Sequence, residues 1–241
     1  TEQRKLEQQI QHTEKLVSMG QLAAGVAHEI NNPLGVILCH LDLIKDEAEL
    51  SHEARKDLEI IEKHVGNCRN IISDLLRFAR QSKPSLTIAS INDLINEVIS
   101  MASNQMEMQS ITIEKQLDEK IPRIPVDLDR LRQVFLNLLL NSAQAIEEGG
   151  TIRFISSYDP AKKAVQIIVE DNGCGIPIDL HDKIFDPFFT TKPPGKGTGL
   201  GLSVSYSIIQ DHGGTLTMES GRTERGTRFI ITLPSEERNL G

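Results

Sequence analysis

The chain has 241 residues, of which 39% are hydrophobic, 25% charged and 4% aromatic, and its formal net charge is −8. This length fits one large domain or two ordinary ones, with enough apolar residues to build a soluble globular core. The negative charge and the scarcity of aromatic rings disfavour nucleic-acid binding, which uses basic and base-stacking surfaces. Three distant cysteines, Cys39, Cys68 and Cys174, argue against a disulfide framework or a zinc site and suit a reducing cytoplasm.

The sequence also bears on membranes. No apolar run approaches the roughly 20 residues that a membrane span needs, and no signal peptide is recognisable. We therefore expect a cytoplasmic fragment that makes no membrane contact of its own. The chain opens within a helical pattern at Thr1, as a piece of a longer protein would, so the parent chain could still carry a membrane anchor.

The first third of the chain carries the heptad spacing of helices that pack lengthwise. From Leu6 to Leu41, small or apolar residues recur in alternating steps of four and three, and a second stripe runs beside them from Met19 to Ile44. Two adjacent stripes favour a four-helix bundle over a bare coiled coil. Residues 1–19 carry only the narrow seam, which predicts a coiled-coil lead-in.

A second helix repeats the pattern. Ser51 can cap its start, and Pro84 lies at its end or just past it. Two helices cannot close a four-helix core, so a homodimer that supplies two hairpins is the simplest solution. The alternative is a hairpin that packs on the rest of its own chain, but the strict heptad order of both seams favours the dimer. The seam residues of the second helix are Leu58, Ile61, Val65, Cys68, Ile72, Leu75 and Ala79.

His28 lies one step off the first seam, on a stripe that also carries glycines and Asn32. A neutral imidazole is a good nucleophile near pH 7, and the adjacent Glu29 could take up the proton of the other ring nitrogen. Asn32, one turn on, could orient a water molecule, and Pro33 should bend the helix just after His28. A lone His-Glu pair is usually a surface feature, but the proline and the glycines favour chemistry here.

The remaining sequence alternates helical and strand patterns. They predict an α/β two-layer sandwich in which a mostly antiparallel sheet carries helices on one face. In chain order, the predicted elements are a linker (81–90), a helix (91–108), a strand from 111, a short turn (122–125), a helix (128–147), strands (151–157 and 164–170), a helix (200–212) and strands (216–219 and 227–233).

Two polar motifs in this part have the chemistry of a nucleotide site. Asn137 and Asn141 lie one turn apart on one helix face, and carboxamide oxygens suit Mg²⁺, although such pairs are usually solvated. Asp171 follows a strand, where its carboxylate can accept from an exocyclic amine such as that of adenine. Gly173 and Gly175 would let the backbone pass close to a flat ring. The alternative is a simple turn, since Asn-Gly is the commonest hairpin signal.

Glycines then alternate from Gly195 to Gly201 and run into the final helix. A glycine-rich approach to a helix N-terminus presents backbone N–H groups to phosphate. The spacing is neither that of a Walker loop nor that of a dinucleotide fingerprint. Lys192 and Lys196 are the nearby cations, and flexibility alone is a poor account of four alternating glycines.

Three of the seven phenylalanines precede this segment, in the stretch from Phe185 to Phe189. Their position beside a Gly- and Pro-rich segment predicts an apolar clip at the base of a mobile flap. The alternative is ordinary core.

In order and spacing, these motifs resemble those of the cytoplasmic kinase core of two-component sensor histidine kinases. His28 to Leu34 resembles the H box, Asn137 to Asn141 the N box, Asp171 to Gly175 the G1 box, Phe185 to Phe189 the F box, and Gly195 to Gly201 the G2 box. The resemblance covers nearly all of the chain beyond the lead-in. The Asn-Asn-Pro form of the H box and the Phe-Thr-Thr-Lys sequence resemble the nitrogen-regulator-like branch.

The resemblance implies an α-helical hairpin that forms a dimeric four-helix bundle, followed by a Bergerat-fold (GHKL-type) α/β sandwich that binds ATP. The domains would be residues 1–19 (lead-in), 20–84 (dimerisation and histidine phosphotransfer) and 85–241 (catalytic ATP binding). It also implies autophosphorylation of His28 with Mg²⁺ and ATP, transfer to an aspartate of a response regulator receiver domain, and dephosphorylation of that regulator. Glu29 would be the base, and Asn32 the amide that positions water.

Within the ATP domain, the resemblance implies that Asn141 is the Mg²⁺ ligand, assisted by Asn137, and that Asp171 reads adenine. Thr227 matches a family threonine beneath the adenine. The other residues expected at the nucleotide are Gly173, Gly175, Ile176, Lys192, Lys196, Gly197, Thr198, Gly199, Leu200 and Gly201.

Two other functions use the same features. One is a non-catalytic scaffold, a dimeric relay with a vestigial nucleotide domain, but none of the motifs is visibly decayed. The other is an ATPase or serine kinase built on the same pocket, and it leaves the surroundings of His28 unexplained.

Overall fold

The computed structural model describes residues 30, 32–45, 50–79, 85–147, 149–192, 197–220 and 226–236. These residues fall into two compact units. The first takes the described residues of Thr1–Ser82 together with Thr190–Leu200, and the second those of Lys83–Phe189 together with Gly201–Gly241. The predicted lead-in (1–19), His28 and Glu29 lie outside the described residues.

The first unit is built on a helical hairpin of α1 (32–45) and α2 (His52–Ala79). The Ser51 hydroxyl accepts from the Ala54 N–H at 3.1 Å, so Ser51 caps the start of α2 as expected. The two helices pack together through a hydrophobic cluster of the seam residues Leu34, Val65 and Ile72, against which Leu38 also packs. Leu41 and Leu58 are buried as well. The heptad seam therefore marks the contact between the two helices.

The outer stripe of the hairpin is not covered within the single chain. Ile30, Ile37 and Ile44 are each 41% exposed, and Ile61 is 44% exposed. Cys68, one heptad after Ile61, is exposed too. Ile61 and Cys68, which the sequence places on the seam, are therefore not buried within the single chain, and their burial against a partner stays a prediction. The reason is that two helices bury only one narrow stripe, whereas these helices carry an apolar face wide enough for four.

The second unit is a sandwich of helices on a sheet. Its main sheet has the strand order β2-β4-β5-β7-β6, in which β2 runs parallel to β4 and the other neighbours are antiparallel. This confirms the predicted two-layer α/β class. The elements are β1 (Thr87–Ala89), α3 (Ile91–Met108), β2 (Ile111–Leu117), β3 (Ile124–Val126), α4 (Leu128–Ala145), β4 (Gly150–Asp159), β5 (Ala164–Asp171), a 3₁₀ turn (Ile178–Leu180), α5 (Gly201–Asp211), β6 (Thr215–Ser220) and β7 (Thr227–Pro234).

Two short strands lie where the sequence predicted a linker and a turn, so both predictions were wrong there. β1 and β3 form an antiparallel ribbon in which Ile88 pairs with Pro125. Proline lacks the N–H that a central strand needs, so the sequence around it was interpreted as a turn. It is tolerated here because a two-stranded ribbon has open edges on both sides.

The core of the sandwich lies between the helices and the inner face of the sheet. Side chains alternate along β7, where every second residue is buried. The helices turn their apolar faces to the same layer, and their largest buried side chains leave almost no surface to solvent. Representative core residues are Ile91, Leu94, Ile95, Phe135, Leu138, Leu139, Ile152, Phe154, Val165, Ile167, Phe229 and Ile231.

The outer face of the sheet carries a row of alternating charge across all five strands. The register aligns Glu114, Arg153, Glu170, Arg228 and Glu219 side by side. Arg153 forms ion pairs with Glu114 at 2.7 Å and with Glu170 at 3.3 Å. Opposite charges on neighbouring strands stabilise a sheet by roughly 0.2–1 kcal/mol per pair. Because side chains alternate along β5, the row directs Glu170 outward and the next residue inward.

Among the described residues, none of the helices combines the length and apolarity that a membrane crossing requires.

Candidate functional site

The inward-facing residue at the end of β5 is Asp171, and it is only 4% exposed. Its Oδ1 accepts from the backbone N–H groups of Gly173 at 2.9 Å and Thr227 at 3.1 Å. Its Oδ2 accepts from the Ser142 hydroxyl at 3.0 Å. Burial raises the pKa of Asp171 above 3.8, while these hydrogen bonds act in the opposite direction. A buried carboxylate with a raised pKa is typical of a functional site.

Two glycines shape the backbone around this carboxylate. Gly226 has a φ of +88°, and a Cβ there would lie 2.0 Å from the Asp171 carbonyl oxygen. Gly175 has a φ of +77°, and a Cβ there would lie 3.2 Å from the Gly226 carbonyl oxygen. The close approach lets the N–H of Thr227 reach the carboxylate. Glycine is required at position 226 by both sterics and backbone conformation.

The loop after β5 packs against the end of α4. A Cβ on Gly173 would lie 2.5 Å from the Ala145 carbonyl oxygen, to which the Cys174 N–H donates at 2.9 Å. The close approach seen among the described residues is therefore to the helix, and contact of these glycines with a flat ring stays a prediction. The Asn-Gly pair is not a hairpin turn, because the chain continues from it into the 3₁₀ turn Ile178–Leu180.

Helix α4 supplies the asparagine pair. The Asn141 side-chain N–H donates to Asn137 Oδ1 at 3.4 Å, so both residues share one face as predicted. Asn137 in turn donates to the Ser205 hydroxyl on α5 at 2.9 Å. A Cβ on Gly201, the first residue of α5, would lie 2.3 Å from Asn137 Oδ1. The start of α5 and the asparagine face of α4 are thus in direct contact.

Helix α4 connects the asparagine pair to the group of residues that hydrogen-bond to Asp171. Asn141 belongs to the asparagine face, and the next residue, Ser142, contacts Asp171. Consecutive helical residues point about 100° apart, so one turn of α4 serves both clusters. The structure therefore brings together the predicted residues Asn137, Asn141, Asp171, Gly173, Gly175, Gly201 and Thr227.

Apart from Ile176, the other predicted ligand-binding residues belong to the segment Thr190–Leu200 of the first unit, and some of these lie outside the described residues. The Lys192 N–H donates to the Thr190 hydroxyl at 3.1 Å, and burial lowers the pKa of the Lys192 ammonium. The Leu200 N–H donates to the Thr198 hydroxyl at 3.3 Å. Gly197 and Gly199 are described, the latter with a φ of +67°. The predicted residues Gly195 and Lys196 lie outside the described part.

The phenylalanine cluster contacts α5 through Phe185. The Phe185 ring packs against Tyr206 with 5.4 Å between ring centroids. Phe188 is 47% exposed and has a φ of +66°. Because Phe188 is not core, the ordinary-core alternative fails for it, and the mobile flap stays a prediction. Ile176 lies in the preceding loop, where its carbonyl oxygen is 3.0 Å from His181 Nε2.

Among the predicted phosphotransfer residues, Asn32 is described and exposed on α1. A Cβ on Gly35, which follows it on the same stripe, would meet no atom of the described residues within 4 Å. His28 and Glu29 lie outside the described residues.

Sequence reasoning missed Ser142, Ser205 and Gly226. Gly226 could have been found, because it directly precedes Thr227. Ser142 was within reach as a polar residue next to Asn141, but its partner comes from a strand far along the chain. Ser205 gave no signal, since only the packing of α5 on α4 makes it a partner of Asn137.

The described residues contain no group of three or more His, Cys, Asp or Glu side chains placed to hold a metal ion. A cation at this site would therefore need amide oxygens and ligand oxygens. Mg²⁺ accepts such a shell.

Two family models match the chain. Residues 18–84 match the His Kinase A (phospho-acceptor) domain. Residues 126–237 match the family of histidine kinase-, DNA gyrase B- and HSP90-like ATPases. All of the residues that cluster around Asp171 lie within the second match.

Curated proteins and solved structures give the same assignment. The sensor histidine kinase ZraS of Escherichia coli (strain K12) is 38% identical over 229 residues, which cover 95% of this chain and 48% of the relative. The chain thus spans about half the length of that relative.

Among solved structures, the histidine kinase ThkA in complex with the response regulator protein TrrA is 30% identical, with a TM-score of 0.68 and coverage of 98% of this chain and 67% of that one. Full-length ShkA in complex with AMPPNP is 26% identical, with a TM-score of 0.76 and coverage of 89% and 45%. The chain therefore belongs to the histidine kinase family and joins a phospho-acceptor domain to a GHKL-type ATPase domain.

Proposed function

We propose that this chain is the kinase core of a two-component sensor, which binds ATP, phosphorylates its own His28 and passes the phosphoryl group to an aspartate of a response regulator. The observation that carries the proposal is the buried Asp171 carboxylate, held where α4, β5 and β7 meet in a sandwich of the ATPase family. The AMPPNP in the related ShkA structure supports a nucleotide as the ligand.

Asp171 would recognise the base, because its carboxylate can accept a hydrogen bond from the 6-amino group of adenine. Thr227 would lie next to the base. Around them, the loop residues Gly173, Gly175 and Ile176 would border the ring. The phosphates would lie toward the N-terminus of α5, where backbone N–H groups favour anions. The residues proposed there are Gly197, Thr198, Gly199, Leu200 and Gly201, with Lys192 and Lys196 as the cations.

The asparagine face fits Mg²⁺ by its donor chemistry, because carboxamide oxygens are hard ligands that leave room for water and phosphate oxygens. We propose Asn141 as the ligand, held by Asn137, which is itself anchored to Ser205. When bound, the ion would neutralise charge on the phosphate oxygens.

The phosphotransfer step needs a nucleophile and a base. One ring nitrogen of His28 would attack the γ-phosphorus, so that an N–P bond forms and the bond to the bridging oxygen breaks, with ADP as the leaving group. Glu29 would take the proton of the other ring nitrogen, which leaves the phosphorylated imidazole neutral. Both assignments rest on the sequence.

The partners are proposed to be a second copy of the chain and a receiver domain. The exposed stripe of Ile30, Ile37, Ile44 and Ile61 supports the dimer, since two hairpins would cover it. The ThkA complex with the regulator TrrA supports the second partner. The proposed domains remain 1–19, 20–84 and 85–241, and the Asn-Asn-Pro sequence supports a nitrogen-regulator-like branch.

The central experiment is incubation with Mg²⁺ and radiolabelled ATP, followed by acid and base treatment of the labelled protein. We expect a phosphoryl group that is labile in acid and stable in base, and that is lost in His28→Ala. An acid-stable label would instead favour a serine kinase, and phosphate release without any label would favour an ATPase. Absence of nucleotide binding would leave only the scaffold.

Asn32 separates kinase from phosphatase activity. Asn32→Ala should keep autophosphorylation while dephosphorylation of the regulator slows, because the amide would orient the attacking water only in the second reaction. Equal loss of both activities would contradict separate roles. Mixed dimers of His28→Ala and Asn141→Ala subunits would show whether transfer occurs within one subunit or between two.

A further inference from the structure

We infer that Ser142 is a positioning residue for base recognition, whose hydroxyl fixes Asp171 so that one acceptor site on Oδ2 is left for a purine that carries a 6-amino group. This inference rests on the proposed function, because it takes the nucleotide to bind at Asp171.

The Ser142 hydroxyl is committed to the carboxylate. Ser142 is only 1% exposed, and its Oγ lies 3.0 Å from Asp171 Oδ2. A serine within a helix often returns its hydrogen bond to the carbonyl one turn earlier. Here the hydroxyl donates across to β5 instead. A buried hydroxyl aimed at a buried carboxylate orients that carboxylate as well as satisfying itself.

The hydrogen bonds of Asp171 can be counted. An ionised carboxylate offers about four acceptor positions, two on each oxygen. Oδ1 uses both of its positions, on the N–H groups of Gly173 and Thr227, and Oδ2 uses one on Ser142. Within the part of the chain that the structure describes, no further donor reaches this carboxylate. One acceptor position on Oδ2 therefore remains for a ligand.

The remaining position selects its ligand by chemistry. It can only accept, so it favours a base with an amino group at position 6 and disfavours one with a carbonyl oxygen there. Both carboxylate oxygens are held, so the group cannot rotate to offer a different edge. Without the Ser142 hydroxyl, Oδ2 would have two open positions and the carboxylate would lose one of its three fixed points. Ser142 therefore acts through Asp171, while its neighbour Asn141 belongs to the asparagine face that we propose for Mg²⁺.

The experiment compares two ligands that differ only in the 6-amino group. Isothermal titration calorimetry on the full chain would measure the affinities of ADP and of purine riboside 5′-diphosphate, for the native protein and for Ser142→Ala. We expect ADP to bind on the order of tenfold more weakly to the variant, as for a lost hydrogen bond to a charged group, while the analogue changes by less than about twofold. The matched control is Ser156→Ala, whose equally buried hydroxyl donates to Asn92 Oδ1 at 2.8 Å, and neither affinity should change.

The outcomes separate positioning from packing. Equal weakening of both ligands, or weakening of neither, would overturn the inference. Ser142→Thr keeps the donor and should keep the preference for ADP, so loss of that preference would also contradict it. If the alanine variant does not fold, Ser142→Cys, with a weaker donor of similar size, should give a smaller loss confined to ADP. Failure of the native protein to bind either ligand would overturn the proposed function itself, which distinguishes the two failures.

Discussion

The hairpin and the sandwich differ in how far each completes its own core. In the sandwich, Ile91 and Ile95 are fully buried, whereas in the hairpin Ile37 and Ile61 keep more than two fifths of their surface exposed. Three helices and a five-stranded sheet can enclose a core, but two helices with a face wide enough for four cannot. The difference teaches that the sandwich encloses its core within one chain, whereas the hairpin leaves an apolar stripe uncovered, which is why we propose that a partner completes it.

The glycines of the hairpin and of the sandwich also differ in how closely they are packed. In the hairpin, a Cβ on Gly35 or Gly66 would meet none of the described atoms within 4 Å. In the sandwich, a Cβ on Gly173 or Gly226 would collide with backbone oxygens. The sandwich therefore needs Gly173 and Gly226 for close packing around the site, while the described glycines of the hairpin meet no such steric demand.

The largest effect is expected from a charge on the uncovered stripe. Ile61→Asp should dissociate the dimer, because each isoleucine buried at the interface contributes roughly 1.5–3 kcal/mol and two are lost per dimer. Analytical ultracentrifugation would measure the oligomeric state. Ile178→Asp is the control, since Ile178 lies in the sandwich at 82% exposure and should leave the dimer intact. If the native protein were monomeric, the proposal that a partner covers the exposed stripe of the hairpin would be contradicted.

Next in size is the loss of close packing at the site. Gly226→Ala should destabilise the sandwich by roughly 2–4 kcal/mol and abolish ADP binding, because it adds both a backbone clash and a strained φ. Thermal unfolding and calorimetry would measure the two effects. Gly213→Ala is a matched control: its φ is +69°, but within the described part of the chain its Cβ would meet only Pro234 Cγ at 3.8 Å. It should cost about 1 kcal/mol from the backbone alone and spare ADP binding. Equal losses in both variants would show that the close approach is unimportant.

The buried carboxylate, which only a complete core can provide, predicts a pH effect. Because burial raises the pKa of Asp171 above 3.8, the ionised acceptor is present above this raised pKa and is lost as the pH falls through it. ADP affinity should then fall by about tenfold per pH unit below that pKa. Calorimetry between neutral and mildly acidic pH would measure it, with Asp171→Asn as the control for titration of the nucleotide. The same slope in Asp171→Asn would rule out the carboxylate as the titrating group.

The smallest expected effect is a change in stability from substitution of Gly66 in α2, where an added Cβ has room. Gly66→Ala should stabilise the hairpin by about 1 kcal/mol, because alanine has the higher helix propensity and the structure leaves room for its Cβ. Chemical denaturation followed by circular dichroism would measure the gain. Gly173→Ala is the opposing case, since its Cβ would lie 2.5 Å from a backbone oxygen, and it should destabilise. A destabilised Gly66→Ala variant would indicate that a partner helix approaches there.

Local patterns predicted most of the fold. The burial of Leu34, Val65 and Ile72 and the alternation along β7 both follow from side-chain period, which is a property of the backbone geometry. The β1–β3 ribbon was not predicted from the sequence. A strand that contains proline is stable only where its edge is open, and this depends on the neighbouring strand. The exposure of Ile61 and Cys68 in the single chain has a similar reason, because a heptad pattern marks an apolar stripe but not which helix covers it.

By itself, the sequence determined the class of each unit and most of the order of elements, since residue type and spacing carry that information. Only the tertiary structure decided that the Asp171 carboxylate is shared among Ser142, Gly173 and Thr227. The physical reason is that these donors come from α4, the loop after β5 and the start of β7. Hydrogen bonds between residues up to 56 positions apart depend on packing that no local pattern encodes.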